Sequence, residues 1–224
     1  MRETVNERTS SLGGLRSIIR DFILPLAVAF AIAFVIQEAM AKPYEIPTGS
    51  MVPTIQEHDR ILANRLIYRF RDPKRGDIVV FEPTVHARQS CGDTVSDVPF
   101  VKRVIGVAGD TIQVRDHVPY VNGVPYIVKN AITTAVTGGY GANFPLLPGG
   151  GLGPPVTIPP RSLFMMGDNR PNSCDSRFWP EWNDGGTPDP ETAADIPAAF
   201  VDMGDVIGQA EITYWPVTHL TFLR

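Results

Sequence analysis

The chain has 224 residues, enough for one sizeable domain and a short additional segment. Its formal net charge of −4 gives no basic field for nucleic acid. Neither the two cysteines nor the four histidines have the spacing of a metal site, and no histidine lies in a recognisable triad motif. The 20 glycines and 21 prolines favour many short strands joined by turns.

The first part of the chain has the pattern of a membrane anchor. Residues 1–21 are polar and contain four arginines, and an unbroken apolar run from Phe22 to Ile36 follows. As a helix, residues 22–41 would span roughly 30 Å, about the thickness of one bilayer core. The arginines predict a cytoplasmic segment 1–21, a single-pass anchor 22–41 and an extracytoplasmic domain 42–224.

Two other interpretations of this segment remain open from the residues alone. Ala39-Met40-Ala41 has the A-x-A form that ends cleaved secretory signals. A buried core helix is the third possibility, although no polar residue narrows the run to a stripe. Anchor and cleaved signal both send residues 42–224 across the membrane.

Beyond residue 42 the pattern predicts a mainly β domain with closed or strongly coiled antiparallel sheets. Asn122-Gly123 is a strong hairpin signal inside one segment. Gly and Pro in 135–160, and Asp, Pro, Gly and Ala in 182–199, predict two surface loops. The predicted strands are Arg60–Asn64, Ile78–Phe81, Phe100–Gly106, Thr111–Val114, the Tyr120–Tyr126 hairpin, Leu163–Gly167 and Val206–Tyr214.

One candidate nucleophile lies on a turn from Pro47 to Thr54. The two prolines of this stretch fix φ and remove two donors, and Gly49 permits a positive φ and a close backbone approach. Such a turn would present the hydroxyl and N–H of Ser50, as a nucleophile with an oxyanion hole requires. An ordinary proline-bracketed loop with a surface serine would have the same pattern.

A candidate base lies on the strand that begins at Phe100. Alternation places Lys102 between Phe100 and Val104, where partial desolvation would lower its pKa. A neutral amine near pH 7 can act as a general base. A strand-end lysine that reaches water is the alternative. Arg103 faces the other way and needs a carboxylate, for which Asp168, Asp175 and Asp110 are the candidates.

Four blocks in order resemble the bacterial type I signal peptidases, membrane-anchored Ser–Lys endopeptidases that remove signal peptides. A polar turn after the strand at Leu163 belongs to one of them, and the hairpin at Tyr120 also resembles the family. The blocks are Ile46–Thr54, Arg75–Phe81, Val101–Gly106 with Gly109-Asp110, and Gly167–Arg170 with Asn172-Ser173 and Asp175–Arg177. The match covers most of residues 43–215.

The resemblance implies a role for each matching residue. Ser50 would be the nucleophile and Lys102 its general base, with the Ser50 N–H and Thr48 hydroxyl as oxyanion hole. Ser173 would orient the Lys102 amine. Structural support would come from Arg103 with Asp168 and from Asp175 with Arg177. Shallow pockets for small side chains before the cut would be lined by Tyr44, Ile46, Met51, Phe100 and Val101.

The family also implies coiled antiparallel sheets, a retained N-terminal helix and no cofactor or metal. The partners would be signal peptides of exported preproteins and the lipid bilayer, with no nucleic acid. Only residues 42–49 separate Ala41 from Ser50, so the tether reaches roughly 30 Å. Two departures are Thr48, where many members have serine, and Pro171, where an aspartate is common.

Two further hypotheses stay open. An exported domain favours an oxidised pair, so we hypothesise that Cys91 and Cys174 form a disulfide that joins the loop before Phe100 to the loop of Ser173. Two free thiols are the alternative, because the sequence gives no distances. The function could also be that of a related Ser–Lys protease with a dedicated substrate, or of an anchored β-domain that binds peptides without cutting them.

Overall fold

The computed structural model describes residues 19–92, 97–134, 142–145, 151–179 and 196–223. The chain divides into two compact units, Met1–Ala41 and Lys42–Arg224. Most of the predicted cytoplasmic segment 1–21 and of the predicted loop 182–199 lies outside the described residues.

Residues 19–40 of the first unit are helical. A π-helical turn at Ile19–Ile23 leads into helix α1, Leu24–Met40. The described side chains before residue 33 are exposed, including the large apolar ones. No helix in the described part of the chain has both the length and the apolar content of a membrane span.

The second unit is built on two antiparallel sheets. The larger has the strand order β1-β2-β11-β3-β4-β9-β10, and β12 pairs with β11. Its strands are β1 (Ala41–Glu45), β2 (Arg60–Asn64), β3 (Ile78–Phe81), β4 (Phe100–Val107), β9 (Ser162–Met166), β10 (Val201–Asp202), β11 (Val206–Trp215) and β12 (Thr221–Phe222). The smaller sheet, of order β7-β6-β5-β8, contains β5 (Thr111–Arg115), β6 (Val118–Val121), β7 (Val124–Pro125) and β8 (Val156–Thr157).

Strand β4 is central to the larger sheet and carries both cations of the candidate site. It pairs with β3, where Val79 lies opposite Lys102, and with β9, where Met166 lies opposite Arg103. This register brings the polar loop after β9 beside the candidate base. A shift in the β4–β9 register between Val104 and Gly106 marks a local irregularity beyond this point.

The strand pattern confirms the predicted mainly β fold. Six predicted strands agree with the structure to within one residue at each end, whereas the hairpin predicted from Tyr120 begins two residues earlier, at Val118. The predicted hairpin turns at Asn122-Gly123, both with positive φ. The sequence did not indicate the short strands β1, β8, β10 and β12 or the six-residue helix α2 (Val85–Ser90). Strands β8, β10 and β12 have two residues each, too few to show a period, and β1 contains Pro43, which weakens a strand signal.

The described parts of the two predicted surface loops include residues that are buried in the core. Phe144 and Ile158 are only 1 % exposed, and β8 lies within 135–160. Phe144 also exchanges two backbone hydrogen bonds with Val114. At the end of 182–199, residues Ile196–Ala199 form a 3-10 turn with Ala199 fully buried. Single apolar residues inside a Gly- and Pro-rich stretch were enough to draw the backbone into the core.

Apolar packing divides into three clusters around β4. One, with Ile46, Met51 and Val101, lies beneath the turn of Ser50. A second joins the two sheets, with Ile105 and Phe164 among its members. The third contains Val104 together with Trp179. Both faces of β4 are therefore buried, so any charge on this strand is removed from water.

Candidate active site

The turn that carries Ser50 is held from below by its neighbour. Gly49–Met51 is a single 3-10 turn entered from Thr48, which is extended at φ −134° and ψ 152°. Met51 is fully buried, whereas Ser50 is 8 % exposed at the floor of a cleft. The Thr48 hydroxyl lies 3.5 Å from Ser50 Oγ.

Gly49 is used for close approach and not for a positive φ. It is absent from the described glycines with left-handed backbone, so that part of the expectation is wrong. A Cβ at this position would lie 2.8 Å from Glu57 Oε1. The glycine therefore leaves room for the side chain of the segment that follows the turn.

Asn169, to which the sequence assigned no role, clamps the same turn. Its backbone N–H donates to Ser50 O at 3.0 Å, and its Nδ2 donates to Gly49 O at 3.1 Å. Gly167, two residues earlier, lies against the turn as well, since a Cβ there would be 2.3 Å from Ser50 O. The only sequence signal for Asn169 was its place in the Gly167–Arg170 block.

Lys102 meets Ser50 across the cleft. Its Nζ donates to Ser50 Oγ at 2.8 Å and to Val101 O at 3.2 Å, and the side chain is 5 % exposed. The Phe100 ring centre lies 5.4 Å from the same nitrogen. Burial lowers the pKa of Lys102 from 10.5 to about 8, with Asp175 raising it and Arg177 lowering it further.

Ser173 makes no hydrogen bond to the Lys102 amine, which differs from the role that the resemblance implied. Its Oγ accepts the Gly167 N–H at 3.2 Å, and its hydroxyl bonds to Asp175. Among the described residues, the acceptors of Lys102 Nζ are Ser50 and Val101. Ser173 is fully buried and already satisfied, so in this geometry it supports the loop rather than the base.

Asp175 and Arg177 form a buried pair behind Ser173. Two nitrogens of Arg177 lie 2.8 Å from the two oxygens of Asp175, and Arg177 also lies 3.1 Å from His117 Nδ1. Burial pushes the pKa of Asp175 up, but Arg177 and the hydrogen bonds from Ser173 and Gly167 outweigh it and hold that pKa below its usual value. The block stays charged and rigid.

Arg103 takes Asp168 from the three carboxylates that the sequence left open. Nε and Nη2 lie 2.8 and 2.6 Å from the two Asp168 oxygens, and Nη1 donates to Gly76 O at 2.7 Å. Thr54 Oγ1 donates to Asp168 as well, at 2.5 Å. Asp110 pairs instead with Arg75. The pair thus joins β4, the end of the Ser50 turn and the loop after β9.

A cleft of about 480 Å³ opens over Ser50 and Lys102. Four of the five predicted pocket residues line it, namely Ile46, Met51, Phe100 and Val101. Tyr44 is not among the lining residues and packs against the core cluster beneath. The sequence missed other lining residues, among them Val98, Pro99 and Asn172.

A disulfide closes one side of this cleft. Cys91 and Cys174 are bonded, with their Cα atoms 5.6 Å apart, and both line the cleft. Cys91 follows α2, and Cys174 is next to Ser173 on the polar loop. The bond therefore ties the segment before β4 to the loop that packs behind the amine.

Comparison with known proteins identifies the family. The family model described as "Signal peptidase, peptidase S26" matches residues 19–215. A signal peptidase I of Leptolyngbya laminosa is 30 % identical over 91 % of this chain and 83 % of its own length. A signal peptidase I of Mycobacterium tuberculosis is 32 % identical over 93 % of this chain and 76 % of its own length.

A crystal structure of a signal peptidase I from Enterococcus faecalis is also similar, with 24 % identity and a TM-score of 0.39. The similarity covers 62 % of this chain and 97 % of that one. The family model and the curated relatives extend across both units of the chain, through the Ser50 turn, β4 and the polar loop after β9. The chain therefore belongs to the signal peptidase family, peptidase S26.

Proposed function

We propose that this chain is a membrane-anchored serine endopeptidase that removes N-terminal signal peptides from exported preproteins after small residues. One observation carries the proposal: a buried amine, Lys102 Nζ, lies 2.8 Å from a serine hydroxyl, Ser50 Oγ, at the floor of an open cleft. Support also comes from the relatives, which are named signal peptidase I.

In the first step, Ser50 attacks the carbonyl carbon of the residue before the cut. Lys102, in its uncharged form, accepts the hydroxyl proton as the bond forms. The lowered pKa of about 8 makes that form accessible near neutral pH. The new ammonium then protonates the leaving amine, and the C-terminal part of the substrate departs.

The tetrahedral oxygen needs donors at the entrance of the Ser50 turn. The Ser50 N–H and the Thr48 hydroxyl are the proposed pair, and support comes from the short distance of Thr48 Oγ1 to Ser50 Oγ, 3.5 Å. Threonine replaces the commoner serine here, and its extra methyl restricts the hydroxyl to fewer rotamers. One such donor contributes about 3 kcal/mol to transition-state stabilisation.

Deacylation repeats the first step with water. Lys102, uncharged again after protonating the leaving amine, takes a proton from a water molecule that attacks the acyl carbon. The ester bond to Ser50 breaks, the Lys102 ammonium returns its proton to Ser50 Oγ, and the signal peptide leaves with a new carboxylate. The proposed chemistry uses no cofactor and no metal.

Residues that line the cleft would select small side chains. Ile46, Met51, Phe100 and Val101 are buried or half-buried and present apolar walls close to the hydroxyl. Large side chains would not fit against walls fixed by the core, because packed interiors yield little. The role of Tyr44 as a lining residue is not retained in the proposal.

We propose that residues 22–41 anchor the chain in the cell membrane, with residues 1–21 cytoplasmic and the β domain 42–224 outside. Support comes from the exposed apolar side chains along the helical stretch, such as Phe22, Leu26 and Phe30. The π-helical turn and α1 follow each other directly, so residues 19–40 are continuously helical over about 30 Å. A short link to Ser50 would keep catalysis at the depth where signal peptides emerge.

The test is cleavage of a preprotein with an A-x-A site by the full chain in detergent micelles, with sequencing of the product N-terminus. The wild type should cut once, after the second small residue. Ser50→Ala and Lys102→Ala should each lose at least about 10³-fold in kcat/KM. Ser162→Ala and Lys74→Ala, at positions away from the cleft, serve as matched controls and should cut normally.

The same experiment separates the proposed signal peptidase activity from each of the two alternative functions. A peptide-binding domain without catalysis would leave the preprotein intact in all samples. A protease with a dedicated substrate would leave unrelated preproteins uncut by the wild type. Normal cutting by either active-site variant would rule out the proposed dyad.

A further inference from the structure

Another buried cation, Arg170, lies outside the proposed dyad and has no carboxylate partner among the described residues. It is 1 % exposed, its Nε has no hydrogen-bond acceptor, and its Nη1 lies 3.3 Å from the thioether sulfur of Met166. No carboxylate of the described residues lies within ion-pair distance of this guanidinium. A buried charge without a counter-charge is costly, so its retention needs a reason.

The charged residues around Arg170 do not provide a counter-charge for its guanidinium. Three arginines, Arg103, Arg170 and Arg177, share this buried region with two carboxylates, Asp168 and Asp175. Each carboxylate is already held by both oxygens on another arginine, Asp168 on Arg103 and Asp175 on Arg177. The described part of this network therefore has one positive charge in excess, and that charge belongs to Arg170.

Arg170 is also one of the residues that line a cleft separate from that of Ser50. The cleft has a volume of about 270 Å³ and lies against the segment that follows β7. Its other polar lining residues are Tyr126, Lys129, Asn130 and Thr133. Lys129 is exposed, and it too has no carboxylate partner among the described residues.

We infer that this cleft binds a phosphate group, with Arg170 as its buried anchor and Lys129 at its rim. A guanidinium matches a phosphate in a two-bond geometry, and a second cation suits the nearly double negative charge of a phosphate monoester near neutral pH. The hydroxyl and amide side chains of Thr133 and Asn130 offer further donors. The group could be inorganic phosphate or a phospholipid headgroup, which share this chemistry.

A phosphate bound at Arg170 would affect the loop after β9, which contacts the Ser50 turn. Arg170 directly follows Asn169, whose two hydrogen bonds fix the Ser50 turn, and its own carbonyl accepts from Arg177 at 2.7 Å. An anion at the guanidinium would complete the charge balance of this loop. The binding itself does not depend on the proposed peptidase activity, since none of its residues belongs to the dyad.

The test is thermal unfolding of the full chain in non-ionic micelles, titrated with inorganic phosphate at ionic strength held constant with sodium chloride. We expect a saturable rise in Tm, of about 4 °C at a tenfold excess over Kd. Lys129→Gln should weaken Kd about tenfold, and Arg170→Lys more than tenfold. Lys74→Gln, which removes an exposed lysine outside the cleft, should bind as the wild type does.

A second arm uses micelles doped with phosphatidic acid or with phosphatidylcholine. A Tm rise with phosphatidic acid alone, reduced by Lys129→Gln, supports a headgroup as the source; a rise with inorganic phosphate supports the free ion. If Arg170→Lys fails to fold, Lys129→Gln decides. The inference is wrong if neither phosphate source gives a saturable rise, or if Lys129→Gln and Lys74→Gln behave alike. Ser50→Ala should bind phosphate normally, which separates this result from any failure of the peptidase proposal.

Discussion

Lys102 and Arg103, adjacent residues of β4, each place a cationic side chain in the core, and their hydrogen-bond partners differ in charge. Arg103 is 4 % exposed, and all three of its side-chain nitrogens have acceptors. Nε and Nη2 bind the two carboxylate oxygens of Asp168, and Nη1 donates to the backbone carbonyl of Gly76. Lys102, at 5 % exposure, has two neutral oxygens as its acceptors. The difference in partners, at equal burial, separates a fixed charge from a removable one.

Arginine and lysine suit these two environments. A guanidinium stays charged in proteins and binds a carboxylate through two parallel bonds, so Arg103 with Asp168 makes a permanent joint. An ammonium loses its proton readily when it is desolvated without a counter-charge. The first region holds the architecture of the site, and the second supplies its proposed chemistry.

The largest effect is expected from breaking the paired region. Arg103→Met leaves Asp168 buried with one bond from Thr54 and no counter-charge, so the free energy of unfolding should fall by about 3–5 kcal/mol. Chemical denaturation at pH 7 measures this. Arg69→Met, at an exposed position, should change the free energy by less than about 0.5 kcal/mol. A small loss for Arg103→Met would mean that the pair contributes little.

The unpaired region should respond with the opposite sign. The folded pKa of Lys102 lies below its unfolded value, so the folded state carries a penalty that is complete below about pH 8 and disappears as pH rises to 10.5. Lys102→Met should therefore stabilise the fold at pH 7, by up to about 3 kcal/mol.

The stability gain is measured by denaturation at several pH values. It should shrink between about pH 8 and pH 10.5. In this range the folded wild type has already released the proton of Lys102, and the unfolded state releases it as the pH approaches 10.5. Destabilisation by Lys102→Met at pH 7 would mean that the lysine is a structural partner and that its burial carries no penalty.

The smallest effect concerns the loop that serves both regions. Asn169→Ala removes the bond to Gly49 O but keeps the backbone N–H to Ser50 O, a loss of about 1 kcal/mol. We expect kcat/KM to fall roughly fivefold and Tm to fall by about 2–4 °C. Gln89→Ala, which removes an amide from an exposed helical position, is the control. A fall equal to that of the control would show that the side chain does not position Ser50.

The sequence predicted elements that repeat a pattern and missed contacts that depend on distance. Alternation located β4 and placed Lys102 in an apolar strand, but it could not choose among Asp110, Asp168 and Asp175 for Arg103. That choice rests on the β4–β9 register, which brings the loop after Met166 beside Arg103. The register of two strands depends on packing across the sheet, and the sequence of either strand alone does not determine it.

Residue roles drawn from a resemblance were least secure where a side chain has several possible partners. Ser173 was expected on the amine of Lys102, yet its hydroxyl bonds to Asp175 and to the Gly167 N–H. A short side chain in a loop full of donors and acceptors has many local partners, and its neighbours decide among them. For the same reason, the sequence did not predict the two hydrogen bonds from Asn169 to the Ser50 turn.

The most direct measurement is kcat/KM as a function of pH, on a peptide substrate without groups that titrate between about pH 6 and pH 10. Because Lys102 must be uncharged to accept the Ser50 proton, kcat/KM should rise about tenfold per unit at low pH and level off above a midpoint near pH 8. Burial lowers the pKa of His117 from 6.5, which moves it further from the expected midpoint. A flat profile, or a midpoint at the ordinary lysine value of 10.5, would show that an unpaired, desolvated amine at position 102 is not the base.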